Sequence, residues 1–201
     1  MIIADCTAII LAGGESQRMG RDKATLALGE HSLLQRVVAI VQPLFPQLLV
    51  SVRQHRLDIE LPQVRDTQAN AGPLAGLCAA LEKSTTPWIF AVATDMPFVQ
   101  AALIEYLARQ RSGHQNCQAL VPVVAGHPQP LAAFYAVSAL AVIQDLLAGD
   151  GKRSLRAALE RLNVCYVDES ELRAADPGLR SFFDFDTPDD VAAARRFEES
   201  A

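Results

Sequence analysis

Cysteine is scarce and scattered: Cys6, Cys78, Cys117 and Cys165 make no C-x-x-C pair and no zinc-type spacing. Neither a metal clip nor a redox motif is suggested, and four buried, reduced thiols are expected. An excess of positive charge is also missing. With 18 Lys and Arg against 23 Asp and Glu, the net charge of −5 provides no global field for nucleic acid or an anionic membrane. Any anionic substrate must be held by local cations. No uncharged apolar run approaches the roughly 18 residues that span a bilayer, and Met1 to Asp5 lack the basic region of a secretory signal. A cytoplasmic location is expected. Repeats, low-complexity tracts and Pro/Gly/Ser linkers are absent as well. A chain of 201 residues that is half hydrophobic can bury one core, so a single domain over 1–201 is expected.

What is present is an alternation of short apolar runs with amphipathic stretches, the pattern of parallel strands joined by crossover helices. It reads as a doubly wound, mostly parallel α/β sheet. Thr7 to Ala12 is apolar throughout after Thr7, as a strand covered on both faces must be, and Gly13 and Gly14 end it. Further strands are expected at Leu48 to Val52, Trp88 to Ala93, Ala119 to Val124, Leu131 to Tyr135 and Val164 to Val167. Leu140, Ile143 and Leu147 make one helical stripe, and Leu155, Ala158, Leu159 and Leu162 another. A last helix is signalled by Thr187 as N-cap, Pro188 behind it, Asp189 and Asp190 at its start and Arg195 and Arg196 near its end. Pro43 to Pro46 and Arg173 to Gly178 read as loops.

The chemistry concentrates in the segment from Leu11-Ala12-Gly13-Gly14 through Arg18-Met19-Gly20-Arg21-Asp22-Lys23. It follows a buried strand, where an open α/β sheet presents its ligand crevice. Glycines let backbone N–H groups approach phosphate oxygens, and Arg18, Arg21 and Lys23 add positive charge. The segment contains neither G-x-x-x-x-G-K-[ST] nor G-x-G-x-x-G, so it is neither a Walker loop nor a dinucleotide fingerprint. Gly149 to Ser154 superficially resembles a phosphate loop, but Arg153 stands where Ser or Thr must follow Lys152. It reads as a turn that caps a helix.

Leu11-Ala12-Gly13-Gly14, Arg18-Met19-Gly20 and Asp22-Lys23 resemble the N-terminal signature of the molybdenum cofactor guanylyltransferase family. Asp66 with Ala71-Gly72-Pro73-Leu74-Ala75-Gly76, then Asp95-Met96-Pro97, then Asp186-Thr187-Pro188 follow in that family's order and at similar intervals. The resemblance covers nearly the whole chain. It implies a Rossmann-like nucleotidyltransferase fold, Mg2+ as cofactor, GTP as donor and molybdopterin as acceptor. Other proteins of molybdenum cofactor biosynthesis or molybdoenzyme maturation are then candidate partners.

By this resemblance, Leu11, Ala12, Gly13 and Gly14 hold the guanine, while Lys23 and Asp66 hold the nucleotide. Asp95 would be the metal-binding carboxylate. Transfer builds charge on the α-phosphate and the departing pyrophosphate, a role for a positioned cation, with Lys23 first and Arg18 second. On residue chemistry alone, Asp95 could instead cap a turn, and Gly72 and Gly76 could serve close packing. His127, between Gly126 and Pro128, is assigned no acid-base role, because an acceptor phosphate is already nucleophilic. Asp184 and Asp186 stand where the family usually has asparagines, and they are expected to meet the pterin's donor groups. Leu-Ala-Gly-Gly, rather than the Leu-Ala-Ala-Gly of related CTP users, favours guanine. A different phosphorylated acceptor, CTP as donor, or a nucleotide-binding regulator without transfer are the rival readings.

Overall fold

The computed structural model describes residues 1–12, 27–65, 72–114 and 116–183. The strands are β1 (Cys6–Leu11), β2 (Ala27–Leu28), β3 (His31–Ser32), β4 (Gln47–Val52), β5 (Gln63–Arg65), β6 (Trp88–Ala93), β7 (Ala119–Val124), β8 (His127–Pro128), β9 (Ala133–Ala136) and β10 (Val164–Val167). Between them run α1 (Leu33–Val41), α2 (Gly72–Lys83), α3 (Ala101–Ser112), α4 (Leu140–Ala148), α5 (Leu155–Leu159) and α6 (Glu169–Leu172).

The main sheet has the order β10-β7-β9-β6-β1-β4-β5, with β8 paired to β7. β5, β4, β1 and β6 are mutually parallel, and β10 is parallel to β7. β9 is antiparallel to both of its neighbours. The reason is connection length. β7 turns at Ala125 and Gly126 into β8 and the chain re-enters the sheet at Ala133, too few residues for the dozen or so of a parallel crossover. Both turn residues have positive φ, 50° and 76°, as a two-residue hairpin of type I′ requires.

β1 shows how the strand pattern builds two cores. Cys6, Ala8 and Ile10 face the side packed by α1 and α3, where Leu34, Val37, Leu103 and Leu107 are buried. Ile9 and Leu11 face the side packed by α2, α4 and α5, with Leu74, Leu77, Ile143 and Leu159. Period-two side chains on a sheet covered by helices on both faces give this doubly wound architecture. α1 starts with a capping box: Ser32 Oγ accepts from the Gln35 N–H at 3.2 Å, and Gln35 Oε1 accepts from the Ser32 N–H at 2.8 Å.

The Gly149 to Ser154 turn caps α5, with Ser154 Oγ accepting from the Ala157 N–H at 3.2 Å. Pro43 falls inside a 3-10 turn over Gln42–Leu44, so the expected loop there is partly helical. The expected last helix from Thr187 lies outside the described residues.

One expectation is corrected. Cys117 and Cys165 are joined as a disulfide with their Cα atoms 5.8 Å apart, leaving Cys6 and Cys78 as the free, buried cysteines. Their separation of 48 residues concealed what strand pairing creates, since Cys165 sits in β10 beside Leu120 of β7, just past Cys117. Among the described residues, no helix is long and apolar enough to cross a membrane.

Candidate active site

The carboxyl ends of β1, β4 and β6 come together and are braced to one another. The Ala12 N–H donates to the Ser51 carbonyl at 3.1 Å. On the other side, the Leu11 carbonyl accepts from the Thr94 N–H at 3.3 Å and from Thr94 Oγ1 at 3.0 Å. Ser51 and Thr94 are both buried. The buried Thr94 hydroxyl is satisfied by the Leu11 carbonyl, and Thr94 closes the gap where the β-ladder between β1 and β6 ends.

Asp95 is the next residue after this clamp. It is half-buried, and its backbone is fixed on both sides, by Thr94 behind and by the buried Met96, whose N–H donates to the Ala93 carbonyl at 3.3 Å. The N-cap of α3 is Gln100, so Asp95 does not cap that helix. Hydrogen bonds of both neighbours fix the backbone of the turn that carries Asp95, and a carboxylate is the kind of oxygen donor that magnesium chemistry uses.

α2 closes the opposite side of β1. A Cβ at Gly76 would lie 2.5 Å from Ser51 Oγ and 2.8 Å from Leu11 Cδ2, so glycine there lets α2 approach the ends of β1 and β4 directly. Gly72 opens α2 with φ of +54°, a left-handed conformation natural to glycine. The packing role considered for these glycines is therefore present at Gly76, whereas Gly72, with nothing within 4 Å of an added Cβ, serves the backbone conformation alone.

β9 approaches the carboxyl end of β6 from the other flank, where the Ala132 N–H donates to the Ala91 carbonyl at 2.7 Å and Ala132 has φ of 76°. The preceding residues are tied down by the buried Tyr135 hydroxyl, which donates to the Pro130 carbonyl at 2.7 Å. His127 is exposed on β8.

Of the residues singled out in the sequence, Leu11, Ala12 and Asp95 are brought together here. Gly13, Gly14, Arg18, Lys23, Asp66, Asp184 and Asp186 lie outside the described residues. Arg65, the residue before Asp66, pairs with Val52 at the carboxyl end of β4. The sequence reading missed Ser51 and Thr94. Residue type does not announce these contacts: Ser51 acts through its backbone carbonyl, and Thr94 through bonds to the Leu11 carbonyl of another strand.

The sequence profile of the MobA-like NTP transferase domain matches residues 8–164. A "Probable molybdenum cofactor guanylyltransferase" of Pelotomaculum thermopropionicum is 34% identical over 197 residues, covering 97% of this chain and 94% of that protein. A "Molybdenum cofactor guanylyltransferase" of Syntrophotalea carbinolica is 33% identical over 192 residues, covering 94% and 90%. The crystal structure of "Molybdopterin-guanine dinucleotide biosynthesis protein A" from Archaeoglobus fulgidus superposes with a TM-score of 0.85 at 30% identity, over 97% of this chain and all of that one. Full-length similarity of this kind, joined to a parallel sheet whose strand ends frame Asp95, places the chain in the MobA-like NTP transferase family, as a nucleotidyltransferase.

Proposed function

We propose that this chain, acting as one transferase domain over 1–201, transfers GMP from Mg-GTP to the phosphate of molybdopterin. An acceptor phosphate oxygen forms a bond to the α-phosphorus, the bond from that phosphorus to the bridging oxygen breaks, and pyrophosphate leaves with a guanine dinucleotide as product. The observation that carries the reading is the position of Asp95, braced through Thr94 against Leu11 where the glycine-rich segment begins. The names of the relatives supply the choice of acceptor.

In this reading Leu11, Ala12, Gly13 and Gly14 hold the guanine. The Ala12 N–H and Leu11 carbonyl are already engaged with Ser51 and Thr94, so these two residues act chiefly as a rigid floor for the base. Lys23, with Arg18, offsets charge building on the α-phosphate and the leaving pyrophosphate. Asp66 and Asp95 hold the Mg-nucleotide. A half-buried carboxylate on a fixed turn suits a hard cation that takes oxygen ligands. Mg2+ bound there would neutralise phosphate charge, and Asp95 would orient it.

No protein base is required, because the acceptor phosphate is anionic near neutral pH and positioning is the main task. Asp184 and Asp186 accept hydrogen bonds from the pterin's N–H and amino groups. Replacing either with alanine should lower kcat/KM for molybdopterin and spare GTP binding; unchanged acceptor kinetics would place the pterin pocket elsewhere.

The Leu-Ala-Gly-Gly sequence predicts that GTP binds at least tenfold tighter than CTP, about 1.4 kcal/mol. Calorimetric titration with each nucleotide tests this. Equal affinity, or a preference for CTP, removes the basis for guanylyl transfer.

A further inference from the structure

A second cluster lies at the opposite end of the sheet, before the amino end of β7. The side-chain ligand atoms of His114, Cys117 and Cys165 all lie within 4.8 Å of one another. His114 and Cys117 are brought together after α3, where the Cys117 N–H donates to the His114 carbonyl at 3.2 Å. Cys165 comes from the edge strand β10, across its pairing with β7. Three further bonds lock these two segments independently of the cysteines. The Gln118 N–H donates to the Asn163 carbonyl at 2.7 Å, the Asn163 N–H to Gln118 Oε1 at 3.0 Å, and Asn163 Nδ2 to the Asn116 carbonyl at 3.0 Å.

A disulfide accounts for Cys117 and Cys165, and His114 adds an imidazole whose ligand nitrogen lies within 4.8 Å of both sulfurs. With the disulfide opened, two sulfurs and one imidazole nitrogen, spaced as H-x-x-C and a distant third residue, supply three ligands of the types a tetrahedral site takes. Burial also separates the roles. Cys117 is buried, Cys165 half-buried and His114 exposed, so the ligand set is open on the histidine side, where an ion can enter and a water can complete the coordination.

We propose that His114, Cys117 and Cys165, in the dithiol state, form a binding site for a thiophilic d10 cation of the zinc class. The ion clamps the edge strand β10 to the α3–β7 connection. Two molecules of a small monothiol reduce the disulfide, giving two protein thiols and one molecule of the monothiol's own disulfide. Binding then converts both thiols to thiolates and releases two protons to solvent. Because the ligands stand on a frame that hydrogen bonds already hold, little ordering opposes uptake. The other cysteines do not compete: burial raises the Cys6 thiol far above its ordinary range, and burial with the neighbouring Glu82 pushes Cys78 up to about 11.

Cobalt titration of the full, reduced, metal-free chain tests the site. The expected result is one Co2+ per chain with thiolate-to-cobalt charge-transfer absorption and the intense visible bands of tetrahedral cobalt, both abolished by Zn2+. Cys117→Ser and Cys165→Ser should each lose the charge-transfer signature, with circular dichroism verifying that at least one of them is folded. His114→Asn should bind at least about tenfold more weakly, while Cys78→Ala should match the parent. The proposal is overturned if the reduced chain takes up no cobalt, if the folded cysteine variants keep the absorption, or if His114→Asn binds as tightly as the parent. Reclosure of the disulfide in excess reductant without metal uptake would overturn it as well.

Discussion

At the amino ends of β1, β4 and β6, Thr7 Oγ1 bonds with Gln47 Oε1 at 3.2 Å and with Thr86 Oγ1 at 2.8 Å, and Thr86 Oγ1 also donates to the Trp88 carbonyl at 2.9 Å. Beside them the Arg111 guanidinium, with its side chain only 7% exposed, pairs with Asp5 at 2.6 Å and lies 5.1 Å from the ring centroids of both Trp88 and Phe134. At the carboxyl ends of the same strands, the braces are mostly backbone, with Thr94 Oγ1 as the side-chain contribution, and Asp95 stands on the turn they fix. Polar side chains at one end are consumed in holding the fold. At the other, the braces hold the turn that carries the proposed metal-binding carboxylate, Asp95. Catalytic roles therefore cannot be assigned from residue type: Arg111 and Asp5 look as chemical as Asp95, and their contacts are structural.

Substitutions at the two ends should separate accordingly. Asp95→Asn should cost about 3 kcal/mol of transition-state stabilisation, roughly a hundredfold in turnover, with an unchanged melting temperature. Lys23→Ala should show a comparable loss. Steady-state kinetics beside thermal unfolding would check both, and a stability loss without an activity loss in Asp95→Asn would make that residue a turn former. Arg111→Ala should behave in the opposite way. It removes an ion pair that is exposed on the Asp5 side, two cation–π contacts and buried volume, for about 2 kcal/mol of stability. Turnover measured below the melting transition should be unaffected, and a loss there would break the comparison.

Gly76→Ala tests the contact between α2 and the site. Alanine gains about 1 kcal/mol of helix propensity but meets Ser51 and Leu11 in a packed core, where overfilling costs about 1 to 3 kcal/mol. Net destabilisation of about 1 kcal/mol in denaturant unfolding is expected, with weakened nucleotide binding because Leu11 must shift. The smallest effect should come from Ala125→Asn. Asparagine tolerates the φ of 50° at this turn better than alanine, so stability should rise by about 0.5 kcal/mol without altering kinetics.

The same contrast explains what the sequence could disclose. β1, β4, β6, β7 and β10 were legible because their segments are predominantly apolar and short, and the position of Asp95 just beyond β6 was legible with them. The antiparallel insertion of β9 was not, since an apolar run carries no direction. The amino-end cluster was also hidden: Arg111 pairs with Asp5 across 106 positions and Cys117 with Cys165 across 48, and such pairings exist only once the strand order is fixed. Thr94 and Ser51 went unread because their contribution lies in bonds to backbone groups of a neighbouring strand, which no motif expresses.

The central claim is tested most directly by incubating the chain with Mg-GTP and molybdopterin, then measuring dinucleotide by mass spectrometry alongside released pyrophosphate. The account predicts one pyrophosphate for each guanine dinucleotide formed, with both abolished when magnesium is chelated. GTP that binds and remains intact, or pyrophosphate released with no dinucleotide formed, would contradict it.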